Sequence, residues 1–312
     1  MSLKPASLKP VSLKIEAILN FLDTQGIPYS FKGDKNALVE RFSSLKNYKP
    51  GAFTWIKNES MLQYVSPDMA QLVALAFVQE GLNLEGLDVG IANTITSSQS
   101  RKAFFDTIEK FFHVDEARVP VGPMTYISPN VKLGENVCIG ANCTIDGDVS
   151  IGDDTVIGNG VVVINRATIG KRCTIQSGCV IGHDGFGWTE NDAHEKKMIK
   201  HYGGVEIGDD VHIGANTVVS RGVLDDTTIK NGVKISSVCH ISHNVTIGEN
   251  AVLIAGSVMY GSSAVGKNGY VASAIIRNHC SIGENTMAGM GAVVTKSFPA
   301  DMVVVGNPAK PL

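Results

Sequence analysis

Aromatic residues are scarce in this chain. They make up 6% of its 312 residues, little for a compact globule of that length, whereas glycine is plentiful at 33. That balance points to a repetitive backbone with many tight corners. Neither sign of charge dominates: 27 Lys and Arg against 30 Asp and Glu leave a net charge of −3, without the basic excess of a general nucleic-acid binder. No run nears the roughly 20 apolar residues of a membrane-spanning helix. The opening MSLKPASLKPVSLK has Lys every few positions and no apolar stretch, so it does not read as a secretory signal. Its SLK repeats read as a leader outside the fold. The six cysteines show no CxxC spacing, so reduced thiols in a cytoplasmic protein are expected.

What is present is a repeat of six. Aliphatic residues fall at Ile127, Leu133, Ile139, Ile145, Ile151, Ile157, Val163, Ile169, Ile175 and Ile181. The fifth place of each unit is small or β-branched, as at Val137, Cys143, Val149, Thr155, Ala167 and Cys179, and Gly often follows the aliphatic residue. The pattern stops at GHDGFGWTENDAHEKKMIKHYGG and restarts at Ile207, Ile213 and Val219. After a four-residue step it runs from Val223 through Ile229, Ile235, Ile241, Ile247, Leu253, Met259, Val265 and Val271. A five-residue step then leads to Ile276, Ile282, Ala288 and Val294.

Neither a helix nor plain strand alternation has this period. A polygonal coil does: short parallel strands joined by tight corners, with places one and five pointing inward. Each coil hydrogen-bonds to the next at about 4.8 Å, and only a stack of coils is stable.

The front end lacks the repeat. Ser12 is expected to cap a helix carrying Ile15, Ile18, Leu19 and Leu22, closed by Gly26. IPYSFKG, ALVERFSSL, GAFTWI and QLVALAFV read as strands, and Ser97 to Phe112 as an amphipathic helix. The expected organisation is a small α/β domain over residues 1–115 and the coil over residues 116–312, with SFPADMVVVGNPAKPL covering the far end.

CHISHNVTIG puts two histidines, His240 and His243, on the outer wall. Eighteen residues after His243 comes Gly261, and eighteen further His279, with the five-residue step able to shift the last by one place. Two coils separate the histidines by roughly 10 Å, too far for a hydrogen bond or a shared zinc. They can flank a groove with a glycine N–H between them. That suits acyl transfer, in which a neutral imidazole takes a proton and an N–H steadies an oxyanion. Inert surface histidines fit the spacing equally well. His183, His194 and His201 read as solvated loop residues, and His212 as an inert outward one. The buried-type cysteines read as filling rather than as nucleophiles.

The repeat resembles the hexapeptide repeat of the left-handed parallel β-helix, a three-sided prism of 18 residues per coil. IQSGCVIGHDGFGW, VEIGDDVHIGANTVVSRGVLDDTTIKNGV and ISHNVTIG resemble the UDP-3-O-acylglucosamine N-acyltransferases of lipid A biosynthesis. ERFSSLKNYKPGAFTWIKN and SRKAFF are similar to that family's nucleotide-binding front domain. The resemblance implies a cytoplasmic homotrimer with sites between prisms. It implies direct attack of a nucleotide-linked amino sugar on an acyl thioester, with no metal and no permanently bound cofactor. It makes His243 the general base, Gly261 the oxyanion donor and His279 a second functional histidine. It makes Trp55 a uracil platform and Asn58 a base contact, although Trp55 at the end of an apolar strand reads equally as core. Asp184, Gly185 and Phe186 of DGFG, which interrupts the repeat, read as substrate-lining residues or as a plain corner loop.

The chain departs from that family at several places. Ser236 and Ser237 replace an Asp-Asn pair, with Ser237 carried over as a substrate contact, and Ser220 replaces an Asp. HEKKMIKHY replaces a Trp…Ile-Pro-Gln segment. GAVVTKSFPADMVVVGNPAK resembles CoA-dependent sugar acetyltransferases, which makes Lys310 a candidate for donor phosphate.

The reading is an N-acyltransferase using acyl-CoA on a nucleotide-linked amino sugar. The alternatives are the lipid A N-acyltransferase using acyl-carrier protein, and a non-catalytic nucleotide-sugar-binding scaffold. A hexapeptide carbonic anhydrase needs an H-x4-H pair, which this chain lacks.

Overall fold

A computed structural model describes residues 12–82, 90–114 and 119–312. The SLK leader, except for Ser12 to Lys14, lies outside the described residues. The chain divides into two compact units, Met1–Ala117 and Arg118–Leu312.

The first unit is a five-stranded sheet in the order Ser30–Lys32, Thr94–Ser97, Leu75–Gln79, Ala52–Ile56, Arg41–Phe42. The first pairing is antiparallel and the rest are parallel. Side chains alternate across it. Phe53, Leu75 and Phe77 meet helices Ile15–Thr24 and Ser100–Phe112 on one face; Ile56, Ala76 and Val78 meet Leu45, Leu62 and Val73 on the other. Burial on both faces explains why QLVALAFV is an unbroken apolar run. Its first two residues belong instead to helix Pro67–Leu72. The first helix is preceded by Lys14, not capped by Ser12, because Leu13–Lys14 pairs with Leu38–Val39 as a short antiparallel ribbon. Gly26 ends that helix at φ +62°.

The second unit is a parallel β-helix with three faces. The first face stacks Val162–Val163, Val180–Ile181, Val218–Val219, His240–Ile241, Val258–Met259, Ile275–Ile276 and Val293–Val294. The second stacks Val205–Ile207, Thr227–Ile229, Thr246–Ile247, Ala264–Val265 and Ser281–Ile282. The third runs from Cys138–Ile139 to Val303–Val305, where Lys310–Pro311 folds back antiparallel. Places one and five fill the interior, from Ile139 and Cys143 to Ala292 and Val294. Each fully buried aliphatic side chain contributes roughly 1.5–3 kcal/mol before chain entropy is subtracted.

Two further places obey a rule. Place four adopts positive φ at Asn142, Asn216, Asn244, Asn250, Asn268 and Asn285, and glycine takes the same place at Gly160, Gly178 and Gly232. Asn and Gly tolerate that conformation best. Glycine at place two has a different cause: a Cβ on Gly158 would lie 2.6 Å from the Ser177 nitrogen one coil on.

The interruptions also resolve. Thr227, fully buried, is the fifth place of the unit begun by Val219, and Val223 is not an inward residue. The apparent four-residue step is an insertion at the corner between the first and second faces. The segment between Ile181 and Val205 leaves and rejoins at that same corner. The five-residue step is absorbed between Val271 and Ile275, at the third-to-first corner.

Candidate functional site

His243 sits at the corner where both insertions emerge, half-buried on the outer wall. Its Nδ1 lies 3.1 Å from Asn244 Oδ1. That amide cannot be turned round, because Oδ1 accepts the Val223 N–H at 3.1 Å while Nδ2 donates to the Asp225 carbonyl at 3.0 Å. An acceptor facing Nδ1 requires the proton there. The lone pair of neutral His243 is therefore on Nε2. The insertion misread as a step in the repeat is thus the bracket that sets this tautomer.

Gly261 lies beneath the ring. A Cβ there would sit 2.5 Å from Cε1 and 2.6 Å from Nε2 of His243. In several coils the place-three N–H is taken by a side chain of the next coil, as when Ala141 donates to Asn159 Oδ1 and Lys171 to Asp209 Oδ1, both at 2.8 Å. The Gly261 N–H has no such partner among the described residues.

A cavity of about 620 Å³ opens on this corner. Its floor descends the first face through His240, Ser242 and His243, then Tyr260 and Gly261, then Ile275 and Arg277, then Val293 and Thr295. Phe186 and Trp188 of the long insertion overhang it, their rings edge to face at 5.2 Å.

His279 is one place off the expected column. Val258 pairs with Ile275 and Met259 with Ile276, so Asn278 follows Gly261. His279 occupies place four at φ +60°, exposed, its N–H donating to the Gly261 carbonyl at 3.2 Å. It still lines the cavity. One missing residue upstream shifts every later register by one.

The DGFG turn packs on the site. Gly185 is wedged so that a Cβ would lie 2.9 Å from His243 Cδ2 and 2.9 Å from His201 Cε1. Asp184 faces the Arg221 guanidinium at 3.9 Å, and Arg221 Nε donates to the Gly203 carbonyl at 2.6 Å. His201 corrects the expectation of a solvated loop histidine: it is only 3% exposed, its ring centroid 5.3 Å from that of His243. Burial lowers its pKa from the ordinary imidazole value, opposed by Asp184 and reinforced by His243, Arg221 and His183. His194 is exposed, as expected, and bonded to Glu190. Burial, with Lys234 adding, lowers the pKa of His212.

Two further expected contacts of the second unit lie outside the cavity lining. Ser237 lies at the third-to-first corner, outside the cavity lining. Lys310 is exposed on the C-terminal strand. In the first unit, the Trp55 indole N–H donates to Ser100 Oγ at 3.0 Å and its ring stacks on Phe104 at 6.3 Å, a packing role. Asn58 is exposed and accepts from Ser60 Oγ at 2.8 Å. Among the described residues no group of three His, Cys, Asp or Glu is arranged to hold a metal ion, and no helix is long and apolar enough to cross a membrane.

Comparison with known proteins places the coil among hexapeptide repeats. Residues 148–183 match the bacterial transferase hexapeptide (six repeats), and residues 130–164 and 199–224 the hexapeptide repeat of succinyl-transferase. The chain is similar to the UDP-3-O-acylglucosamine N-acyltransferase of Delftia acidovorans, 40% identical over 129 residues, which are 41% of this chain and 38% of that protein. The Hahella chejuensis protein of the same description is 46% identical over 104 residues, 33% of this chain and 26% of that one. These matches therefore span well under half of each relative's length. Among solved structures, the UDP-N-acetylglucosamine acyltransferase from Campylobacter jejuni aligns with TM-score 0.55 and 22% identity over 62% of this chain and 73% of that one. The Bacteroides fragilis enzyme of that description aligns with TM-score 0.56 and 26% identity, over 61% and 72%. These structural neighbours share the β-helix fold.

Proposed function

We propose that this chain is an N-acyltransferase that moves an acyl group from a thioester to the amino group of a nucleotide-linked amino sugar. The observation that carries the reading is the pair formed by His243 and Gly261. An imidazole whose neutral form carries its lone pair on Nε2 stands over a backbone N–H without a partner among the described residues, at the edge of a cavity.

The sugar amine attacks the thioester carbonyl carbon while His243 Nε2 takes a proton from the nitrogen. The carbonyl oxygen becomes an oxyanion and accepts a hydrogen bond from the Gly261 N–H. Collapse breaks the carbon–sulfur bond, and the departing thiolate takes the proton back from Nε2. The products are an amide and a free thiol, with the enzyme unchanged. Arg277 at the cavity edge offers a cation for a phosphate of either substrate.

The relatives' descriptions support a UDP-3-O-acylglucosamine acceptor, the alternative reading of the sequence, in preference to some other nucleotide-linked amino sugar. The donor is an acyl thioester on a carrier protein or CoA. The apolar places Val258, Ile275 and Val293 on the outside of the first face support a second chain lying across the cavity.

The test is turnover against binding. His243→Ala is expected to release no thiol above background from any acyl thioester that wild type consumes, while nucleotide-sugar affinity stays within about threefold. Wild-type rates in that variant overturn the mechanism. Binding without thiol release by the wild-type chain, across acyl-CoA and acyl-carrier donors, favours the scaffold.

A further inference from the structure

The chemistry above has no use for His201, yet this residue is buried against the base. Its position follows from the long insertion, which returns to the coil at Tyr202 and Gly203 by hydrogen bonds from their N–H groups to the Val223 and Gly222 carbonyls at 2.7 and 3.0 Å. The preceding residue is thereby pressed beneath the outgoing DGFG turn. The Gly185 N–H donates to His201 Nδ1 at 2.5 Å, and the His201 N–H reaches Asp184 Oδ2 at 3.4 Å. A ring nitrogen that accepts an amide N–H carries no proton, so neutral His201 bears its proton on Nε2. That Nε2 is buried without a hydrogen-bond partner among the described residues. His201 and His243 therefore hold opposite tautomers, with Gly185 wedged between their rings.

We propose that His201 is a positioning residue that pins the Asp184–Gly185–Phe186 turn against His243 through its unprotonated Nδ1, and that a proton taken up there releases the turn. A protonated Nδ1 would face the Gly185 N–H donor to donor, and the bond must break. The turn then loses its hold on the edge of the His243 ring, and Phe186 and Trp188, which follow it, lose their fixed overhang above the cavity. The groups facing His201 act in both directions. Asp184 favours the proton, whereas burial, His243, Arg221 and His183 oppose it. The fold thus holds His201 neutral near pH 7, and the proton enters only below the ordinary imidazole range. The consequence for turnover rests on the acyl-transfer reading of His243; the pinning of the turn does not.

Two substitutions separate the roles. His201→Asn keeps an acceptor near the Nδ1 position, cannot titrate and has no atom at Nε2 to lose a bond. His201→Leu removes the acceptor. Amide hydrogen exchange of the peptide covering residues 184–187 is measured between pH 5 and pH 8 in the full chain, beside kcat and KM. Wild-type protection is expected to hold down through about pH 6.5, the ordinary imidazole value, and to fall only below it, because burial depresses the folded His201 pKa. In the Asn variant, protection stays within about threefold of the neutral wild-type value at every pH, and in the Leu variant it is lost by about tenfold throughout, as loss of one hydrogen bond predicts. kcat should drop in the Leu variant more than KM rises, with the Asn variant restoring it.

Pinning by His201 is overturned by wild-type protection in the Leu variant, by an Asn variant as unprotected as the Leu variant, or by wild-type protection that ignores pH. Full thiol release by His243→Ala would instead sink the acyl-transfer reading and leave the exchange result to judge His201 alone.

Discussion

At the scale of single residues, the coil imposes conformations that some side chains meet badly. Place four demands positive φ, and Val238 takes it at +59° while 64% exposed. A β-branched residue there costs roughly 1–2 kcal/mol. Val238→Asn is expected to raise stability by about 1 kcal/mol, read as a higher urea midpoint at an unchanged slope. A midpoint at or below wild type would mean that Val238 packs on something that repays the strain. His279 occupies the same place in its own coil at +60°, so a backbone preference as well as its chemistry bears on that residue. The same scale separates a position that could be read from the repeat from one that could not. His243 was recoverable because its place in the repeat points it outward. His201 was not, because it lies in a segment without period, and only the path of that segment buries it.

At the scale of elements, irregularity and site coincide. Two insertions leave the coil at the corner that carries His243. The shorter supplies Val223 and Asp225 to hold Asn244; the longer supplies the turn packed on His243. Regular coils elsewhere are closed by repeated side-chain ladders, such as Asn268 to Asn285 at 3.0 Å and Asn285 to Asp301 at 2.9 Å. Exposed ion pairs at the second-to-third corner, Arg172 with Asp210 and Lys171 with Asp153, add little each.

One buried histidine and two half-buried ones set the acid response. Burial lowers the pKa of His201, His212 and His240, so the folded state disfavours their protonated forms. The unfolded chain binds protons first. Stability present above about pH 6.5 is therefore lost as pH falls through their depressed folded values. The urea midpoint is expected to drop between pH 7.5 and pH 5, and His212→Gln to reduce that drop, since His212 lies far from the cavity between Thr174 and Lys234. An unchanged drop in that variant would assign the acid response to the other histidines.

At the scale of the whole molecule, the apolar exterior of the first face and the open cavity beside it make assembly the natural expectation. A trimer of 33.1 kDa chains is expected by light scattering, and a monomer under conditions of full activity would count against a site shared between copies. The sequence by itself determined the coil. Inward places one and five, small at the fifth, leave one backbone path that buries them, and every coil repeats the demand, so period alone is sufficient information. It also located His243 and Gly261 in one column, because stacking is a matter of counting. Tertiary structure alone decided where counting fails. The five-residue step moved Asn278 into the column in place of His279. An insertion mistaken for a repeat became the bracket for Asn244, and a histidine 42 residues before His243 in sequence came to rest against it. Those outcomes depend on how irregular backbone closes on the wall. Many closures are compatible with the same local preferences, and only the packed chain selects one.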